Sequence, residues 1–371
     1  MKNVRGIFAI IKRNVLPAFL VAVTVLPVFT GCSKKPSAEG AKESLPLTII
    51  YTSNVVGAPV VTIAKEKHYF EEEGLKPEYI ILSSGAIEAL SIGKADVMLN
   101  GLVPPLSFAS QKADVKIIGG SISGGNLVIT KPENAAKYAR LEDWKGARLG
   151  TVRLSTSEMV SRYALGQIGF NMDAGSDNQD IIFVEIENYP NIVEGVRKGQ
   201  VDIGFVSFEY QQPVRDLGLT ILFPMTNMYE NYVCCRQTAN KTALANKRDA
   251  FVAFYRAQIR AYKDYYEQPD QTISLLSGLS SQEPEYVRNL LYNTEFSAGR
   301  TFHPDPDFKR VKPVYDTLLQ YNYIPAGVPF EDTIDCTVYR DALKDILARY
   351  PNEAVYQRMA REFEENNNIS L

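Results

Sequence analysis

Apolar and polar positions along the first half of the chain fall into short runs that alternate between two periods. Residues 47–51 form an apolar strand, residues 58–73 read at helical spacing and stop at Gly74, and a second strand spans 78–82. Ser83-Ser84-Gly85 then opens a helix that ends near Gly93, and a third strand spans 96–99. The order is βαβαβ. About a hundred residues on it returns: strand 147–152, helix 156–167, strand 181–186, helix 191–198 and strand 201–206. The wording repeats as well, since Gly93-Lys94-Ala95-Asp96-Val97 and Gly199-Gln200-Val201-Asp202-Ile203 each close a helix with glycine and open a strand after an aspartate. Two such halves predict an α/β chain of two βαβαβ lobes with a cleft between them, because open parallel sheets bind ligands beyond the carboxyl ends of their strands.

From residue 249 onward the pattern is helical, with candidate helices at 249–267, 285–292, 308–321, 337–350 and 353–366. These predict a helical C-terminal part that completes the first lobe. The expected division is lobe 1 over 47–125 and 228–371, and lobe 2 over 126–227.

The first residues follow a different logic. Lys2, Arg5, Lys12 and Arg13 precede an apolar run over 15–29, which meets Thr30-Gly31-Cys32. Basic, apolar and then small residues is the order of an export leader, here 1–31. The polar stretch 33–46, broken by Gly40 and two prolines, cannot bury enough to fold, and with Cys32 it forms a flexible tether over 32–46. Taking the four leader cations from the 40 basic residues leaves 36 against 43 acidic ones, a net charge of -7, which argues against nucleic acid as a partner.

Four cysteines are present. With Cys32 in the leader junction, Cys234, Cys235 and Cys336 allow one disulfide at most, or three thiols. Cys234 and Cys235 lack the spacing of a zinc pair, so no metal is expected and the two read as buried thiols in a strand. Only His68 and His303 are available as imidazoles, and no nucleophile and base stand in a recognisable pair, so neither an enzyme nor a cofactor is expected.

Several further segments occur in a specific order: Gly57-Ala58-Pro59, the run from Ala64 to Leu75, Ser83-Ser84-Gly85, Gly93 to Val97, Leu141 to Gly146 and the second glycine-to-aspartate segment at Gly199. In this the chain resembles the nitrate, sulfonate and taurine-binding and thiamin-pyrimidine-binding family of ABC importer receptors, and Gly31-Cys32 resembles a bacterial lipobox. The resemblance implies the type II periplasmic binding protein fold and a lipid on Cys32. It implies a monomer in the cell envelope that faces the periplasm or exterior and passes a small solute to an ABC permease and its ATPase.

It also places the solute on strand-exit loops, which here hold Ser53, Asn54, Ser84, Gly85, Asn100, Gly101, Ser155, Thr156, Ser157, Tyr189 and Glu209. Hydroxyls and free amides at Ser155-Thr156-Ser157 suit an anion, or simply cap a helix. Glu209 suits an amine or a heterocycle N–H. An enzyme of the same fold, a thiamin-pyrimidine synthase, is the alternative, but where that enzyme carries lysine and histidine this chain has Asn100-Gly101-Leu102-Val103-Pro104.

Overall fold

The computed structural model describes residues 44–52, 54–82, 84–99, 101–173 and 178–371. The leader, Cys32 and most of the tether lie outside the described residues, as do Ser53 and Asn100.

Following the chain, β1 (Leu45–Tyr51) leads through α1 (Pro59–Glu66) and α2 (Tyr69–Glu72) to β2 (Leu75–Ile81), then through α3 (Ala86–Ser91) to β3 (Val97–Met98), α4 (Val103–Ser110) and β4 (Val115–Ser123). The second part is β5 (Asn126–Thr130), β6 (Arg148–Thr151), α5 (Thr156–Gln167), β7 (Ile182–Glu185), α6 (Tyr189–Lys198), β8 (Ile203–Ser207), α7 (Gln211–Asp216) and β9 (Thr220–Pro224). The chain returns with β10 (Val233–Asn240), α8 (Lys241–Asn246), α9 (Arg248–Glu267), α10 (Pro269–Ser280), α11 (Pro284–Tyr292), β11 (Thr301–Phe302), α12 (Phe308–Gln320), α13 (Thr337–Arg349) and α14 (Ala354–Asn366).

The strands form two mixed sheets, ordered β11-β4-β10-β3-β1-β2 and β7-β6-β8-β5-β9. Their parallel parts, β2-β1-β3 and β7-β6-β8, are the strands the repeated pattern predicts. Each then gains an antiparallel strand that the pattern did not reveal. β10 joins β3 and β4 in the first sheet, and β5 joins β8 and β9 in the second. Both strands enter from the other lobe, so no local βαβ period announces them.

The repeated glycine-to-aspartate segment does the same work twice. Gly93 and Gly199 stand at φ 74° and 71°, the left-handed region that stops a helix at low cost for glycine. Three residues on, Asp96 accepts a hydrogen bond from Thr48 N at 2.7 Å, and Asp202 accepts one from Arg148 N at 2.8 Å. Each carboxylate thereby ties the start of the third strand to the start of the first.

Alternation along the strands gives each sheet two buried faces. Ile49 and Val97 of the first sheet, with Leu127 and Ile129 of the second, belong to the main core, in which α9 buries Phe251, Phe254, Tyr255 and Ile259. On the opposite faces, Ile50 and Met98 pack below α3 and α4, and Val128, Leu149 and Phe205 pack around Trp144. Glu73, at the end of α2, receives Arg256 and Arg260 from α9 and Arg349 from α13, locking three helices of the first lobe together.

The helical tail also reaches the second lobe. Tyr323, just past α12, donates to Glu158 at 2.5 Å and accepts from Arg162 at 3.1 Å. Glu158 and Arg162 are a buried α5 ion pair at 3.0 Å, with the guanidinium over Phe183 and Tyr321.

Candidate functional site

The chain passes from the first sheet to the second through Gly124-Gly125, both at positive φ, and comes back through residues 225–232. A side chain on Gly124 would strike the carbonyl of Gly299 at 2.4 Å, so only glycine fits there. The two crossings are stitched together: Tyr232 OH donates to Asn126 Oδ1 at 2.7 Å and accepts from Asn126 N at 2.9 Å, and both residues are buried.

Beside this hinge, strand exits of the second lobe meet β10 and β11 of the first. Asn188 caps α6 by accepting from Asn191 N, which fixes Tyr189 at the first helical position. Its ring stands edge-on to Tyr210 at 5.6 Å, and its hydroxyl bonds the Asn126 side chain. Burial, then the negative potential of Cys234 and Glu209, pushes the Tyr189 hydroxyl up to about 12, so it is a neutral donor at physiological pH. Glu209 follows β8, is exposed, and accepts from the Ser207 hydroxyl. Thr156 Oγ1 donates to Cys234 O at 3.2 Å, a hydrogen bond that spans the lobes.

Arg300, only 6% exposed, spreads its guanidinium over Phe208 of the second lobe at 4.0 Å and over Phe302 of the first at 4.8 Å. Among the described residues its Nε has no hydrogen-bond partner. Burial pulls its pKa below the usual arginine range, opposed by the charge of Glu209 nearby. Gly101 stands at φ 80°, its carbonyl accepting from Arg236 N at 3.0 Å and its N–H bonding the Cys235 thiol.

Of the residues expected to bind a solute, Gly101, Thr156, Tyr189 and Glu209 therefore converge on one cluster, with Cys234, Cys235, Asn126, Tyr232 and Arg300 joining them. Ser155 and Ser157 are turned inward. Ser155 Oγ accepts from Glu158 N at 3.1 Å while Glu158 accepts from Leu154 N at 2.7 Å, a reciprocal helix cap, and Ser157 is buried against Ser155 at 3.0 Å. Asn54 is exposed and caps the turn over Val55–Gly57, while Ser84 and Gly85 are exposed ahead of α3.

Arg300 carried no local signal, lying in an unpatterned stretch between helices. The cysteine pair was visible, but its approach to the second lobe was not. The three cysteines among the described residues are free thiols, Cys336 buried and the other two half-buried.

Both histidines have structural settings. His68 is exposed at φ 58° between α1 and α2, in the left-handed region. His303 faces Glu362 at 3.1 Å and accepts from Asp305 N at 3.0 Å. A cavity of about 510 Å³ beside β11 is lined by Arg300 and one of about 580 Å³ lies between α5 and Tyr321, but neither is lined by Thr156, Tyr189, Glu209 or the cysteine pair. The candidate site is thus defined by converging side chains at the strand exits. Among the described residues no helix is long and apolar enough to cross a membrane.

Comparison with known proteins agrees with this architecture. The periplasmic aliphatic sulphonate binding protein of Escherichia coli is 18% identical, with a TM-score of 0.58 over 80% of this chain and 92% of that one. The periplasmic nitrate-binding protein of Synechocystis is 15% identical, with a TM-score of 0.60 over 82% and 89%. A desulfurization enzyme also shares the fold, at 13% identity and a TM-score of 0.54 over 81% and 99%. These likenesses establish the periplasmic binding protein fold. A Brucella abortus protein named only as a binding protein is 23% identical over 163 residues, 44% of this chain and 47% of that one, so the chain spans about half the length of the curated relatives it matches. The profile described as NMT1/THI5 like matches residues 58–272, more than half of the sequence, and the chain belongs to that family.

Proposed function

We propose that the chain is an extracytoplasmic solute-binding receptor that captures a small nutrient between its lobes and delivers it to an ABC permease and ATPase. The observation that carries this reading is the meeting of Thr156, Tyr189 and Glu209 of one lobe with β10 and Arg300 of the other, beside two crossings of which the first carries Gly124 and Gly125. A solute touching both lobes favours their closed arrangement by exactly the contacts it adds, and the permease reads closure. Tyr189 as donor and Glu209 as acceptor suit a thiamin-type pyrimidine or other heterocycle. The buried Arg300 cation, without an ion-pair partner among the described residues, suits a sulfonate-like or nitrate-like anion, the kinds of solute named for two structural relatives. The desulfurization enzyme makes the fold alone indecisive about catalysis. The receptor reading rests on the residues: no lysine and histidine stand at the exit of β3, His68 is exposed between α1 and α2, and His303 is bonded to Glu362 and Asp305.

Native mass spectrometry of the purified protein identifies the retained solute, intact after prolonged incubation. Calorimetry then measures Thr156→Ala and Glu209→Ala, each expected to weaken binding about ten- to a hundredfold, the worth of one hydrogen bond to a charged group. Unchanged affinity in both moves the site elsewhere, and recovery of a transformed product makes the chain an enzyme.

The leader and Gly31-Cys32 support export and a lipid on Cys32, with the tether holding a monomeric receptor at the membrane surface. Cys32→Ala is expected to release the protein from membranes and from the detergent phase. Unaltered partitioning ends the lipid-anchor reading.

A further inference from the structure

The hinge has a second side. In the first sheet the two crossings join β4 and β10; β3, β1 and β2, with their strand exits, lie beyond β10, whereas β11 lies beyond β4. The cavity of about 510 Å³ beside β11 is therefore set across the hinge strands from those exits. Its size falls within the roughly 300 to 1,000 Å³ of small-molecule sites. Ser123, the residue before Gly124-Gly125, and Asn231, the residue before Tyr232, both line it, so the cavity borders both crossings.

One wall is aromatic because of sequence spacing. Tyr262, Tyr265 and Tyr266 stand at i, i+3 and i+4 near the end of α9, on one helical face, and Tyr292 ends α11 beside them. The Tyr265 and Tyr292 rings stack at 5.1 Å, and their hydroxyls donate to Leu291 O and Tyr265 O, each at 2.8 Å. These two rings are fixed in place and offer ring surface rather than free donors.

Most charges around the cavity are already answered. Asp307 is held by Arg310 at 3.0 Å, and Glu362 by His303 at 3.1 Å and Arg358 at 3.4 Å. Glu365 stands exposed at the rim, where water screens it. Arg300 is different. It is buried, makes one long hydrogen bond from Nη2 to Leu290 O at 3.3 Å, and among the described residues has no ion pair and an unbonded Nε. A buried cation with a free donor gains a charge-assisted hydrogen bond from an anion that reaches it, and an aromatic group carried by that anion gains the tyrosine wall.

We infer that this cavity is a second binding site, behind the hinge, for a small aromatic acid, with its ring on the tyrosine wall and its anionic group at Arg300. The site goes beyond the receptor reading, which sets the solute on the other side of the same strands. Arg300 also lies over Phe208 of the second lobe, and the cavity borders both crossings, so an occupant holds the hinge and slows its opening.

The probe is 4-azidobenzoate, photolysed on the full wild-type chain and mapped by peptide mass spectrometry. Label should fall within 262–266 or 291–301, and excess benzoate should suppress it. Benzoate should compete at least about tenfold better than benzyl alcohol or benzylamine, the worth of one hydrogen bond to a charged group. Thr294 lines the cavity from an exposed position, so Thr294→Trp should fill it and abolish labelling with the melting temperature kept. Amide exchange over 123–126 and 231–233 of the wild type should slow when benzoate is added, a measurement that needs no variant to fold. Label at Tyr189 or Glu209 puts the acid among the solute contacts and overturns the second site while leaving the receptor reading standing. Labelling that survives excess benzoate or Thr294→Trp also overturns it. Equal competition by benzylamine overturns the choice of an acid, and exchange at the crossings unmoved by saturating benzoate overturns the hold on the hinge.

Discussion

The two lobes share a strand order and an aspartate clamp, yet they are built to different depths. In the first, α9 and α13 lie across one face of the sheet and Glu73 gathers three arginines, so the strand exits there stand on a thick, ion-paired base. In the second, the face away from the main core closes over a small group centred on Trp144, which stacks on Phe223 at 6.2 Å and donates to Tyr138 O at 3.0 Å. The lean lobe is the one that contributes Thr156, Tyr189 and Glu209 from helix starts and strand ends. Local opening follows contact density, so the second lobe is the part that yields first, while the first lobe stays a fixed platform carrying β10 and Arg300.

The sharpest way to break this comparison is to remove each lobe's central aromatic residue. Trp144→Ala leaves a cavity and an orphaned carbonyl and should cost about 3 to 5 kcal/mol, with amide exchange rising over β5 to β9 ahead of the first sheet. Phe254→Ala, which strips the ring stacked on Phe70 at 5.4 Å, should cost a similar amount but raise exchange throughout the protein. Equal acceleration in both sheets after Trp144→Ala means one cooperative core, and the contrast between platform and yielding lobe is gone.

The same contrast marks how far the sequence could be read. The βαβ repeats were legible because period-2 and helical spacing are local, and the predicted helix over 156–167 coincides with α5. Helical spacing over 58–73 hid a break, since one residue in the left-handed region at His68 leaves the hydrophobic period almost unchanged. The antiparallel strands β4, β5, β9 and β11 were not foreseen, and β10 only as a strand holding Cys234 and Cys235, because their partners lie across the chain and their meaning depends on a crossover. At the candidate site, Thr156, Tyr189 and Glu209 were named from the strand-exit loops that the family resemblance singles out. Arg300 did not, because its position comes from the fold of residues 293–302 against the hinge. Ser155 shows the ambiguity of a hydroxyl at a helix start, where the backbone amide took the hydrogen bond.

The smallest expected difference is between the two aspartate clamps, which look equivalent and are wired differently. Asp202 is held by Arg148, its neighbour across the sheet, through Nε and Nη2 at 3.0 Å each, so the second lobe supplies both partners of its clamp. Asp96 instead pairs with Lys247 at 2.8 Å, which arrives at the start of α9 only after the chain has returned from the second lobe. Burial alone would raise the Asp202 carboxyl, but the hydrogen bonds and charge of Arg148 bring it below the ordinary aspartate range. A lowered acid contributes stability in full above its unfolded value of about 3.9 and loses it as the pH falls through the folded value. Asp202→Asn should therefore cost about 1.5 to 3 kcal/mol at pH 7, less as the acid limb is approached, and flatten that limb of a denaturation profile. Asp96→Asn should cost a similar amount, and Lys247→Met should reproduce part of that loss in the first lobe while leaving exchange over β6 to β8 unchanged. If Lys247→Met loosens both lobes alike, the two clamps are not independent and the returning chain, rather than each sheet, sets the order of the strand exits.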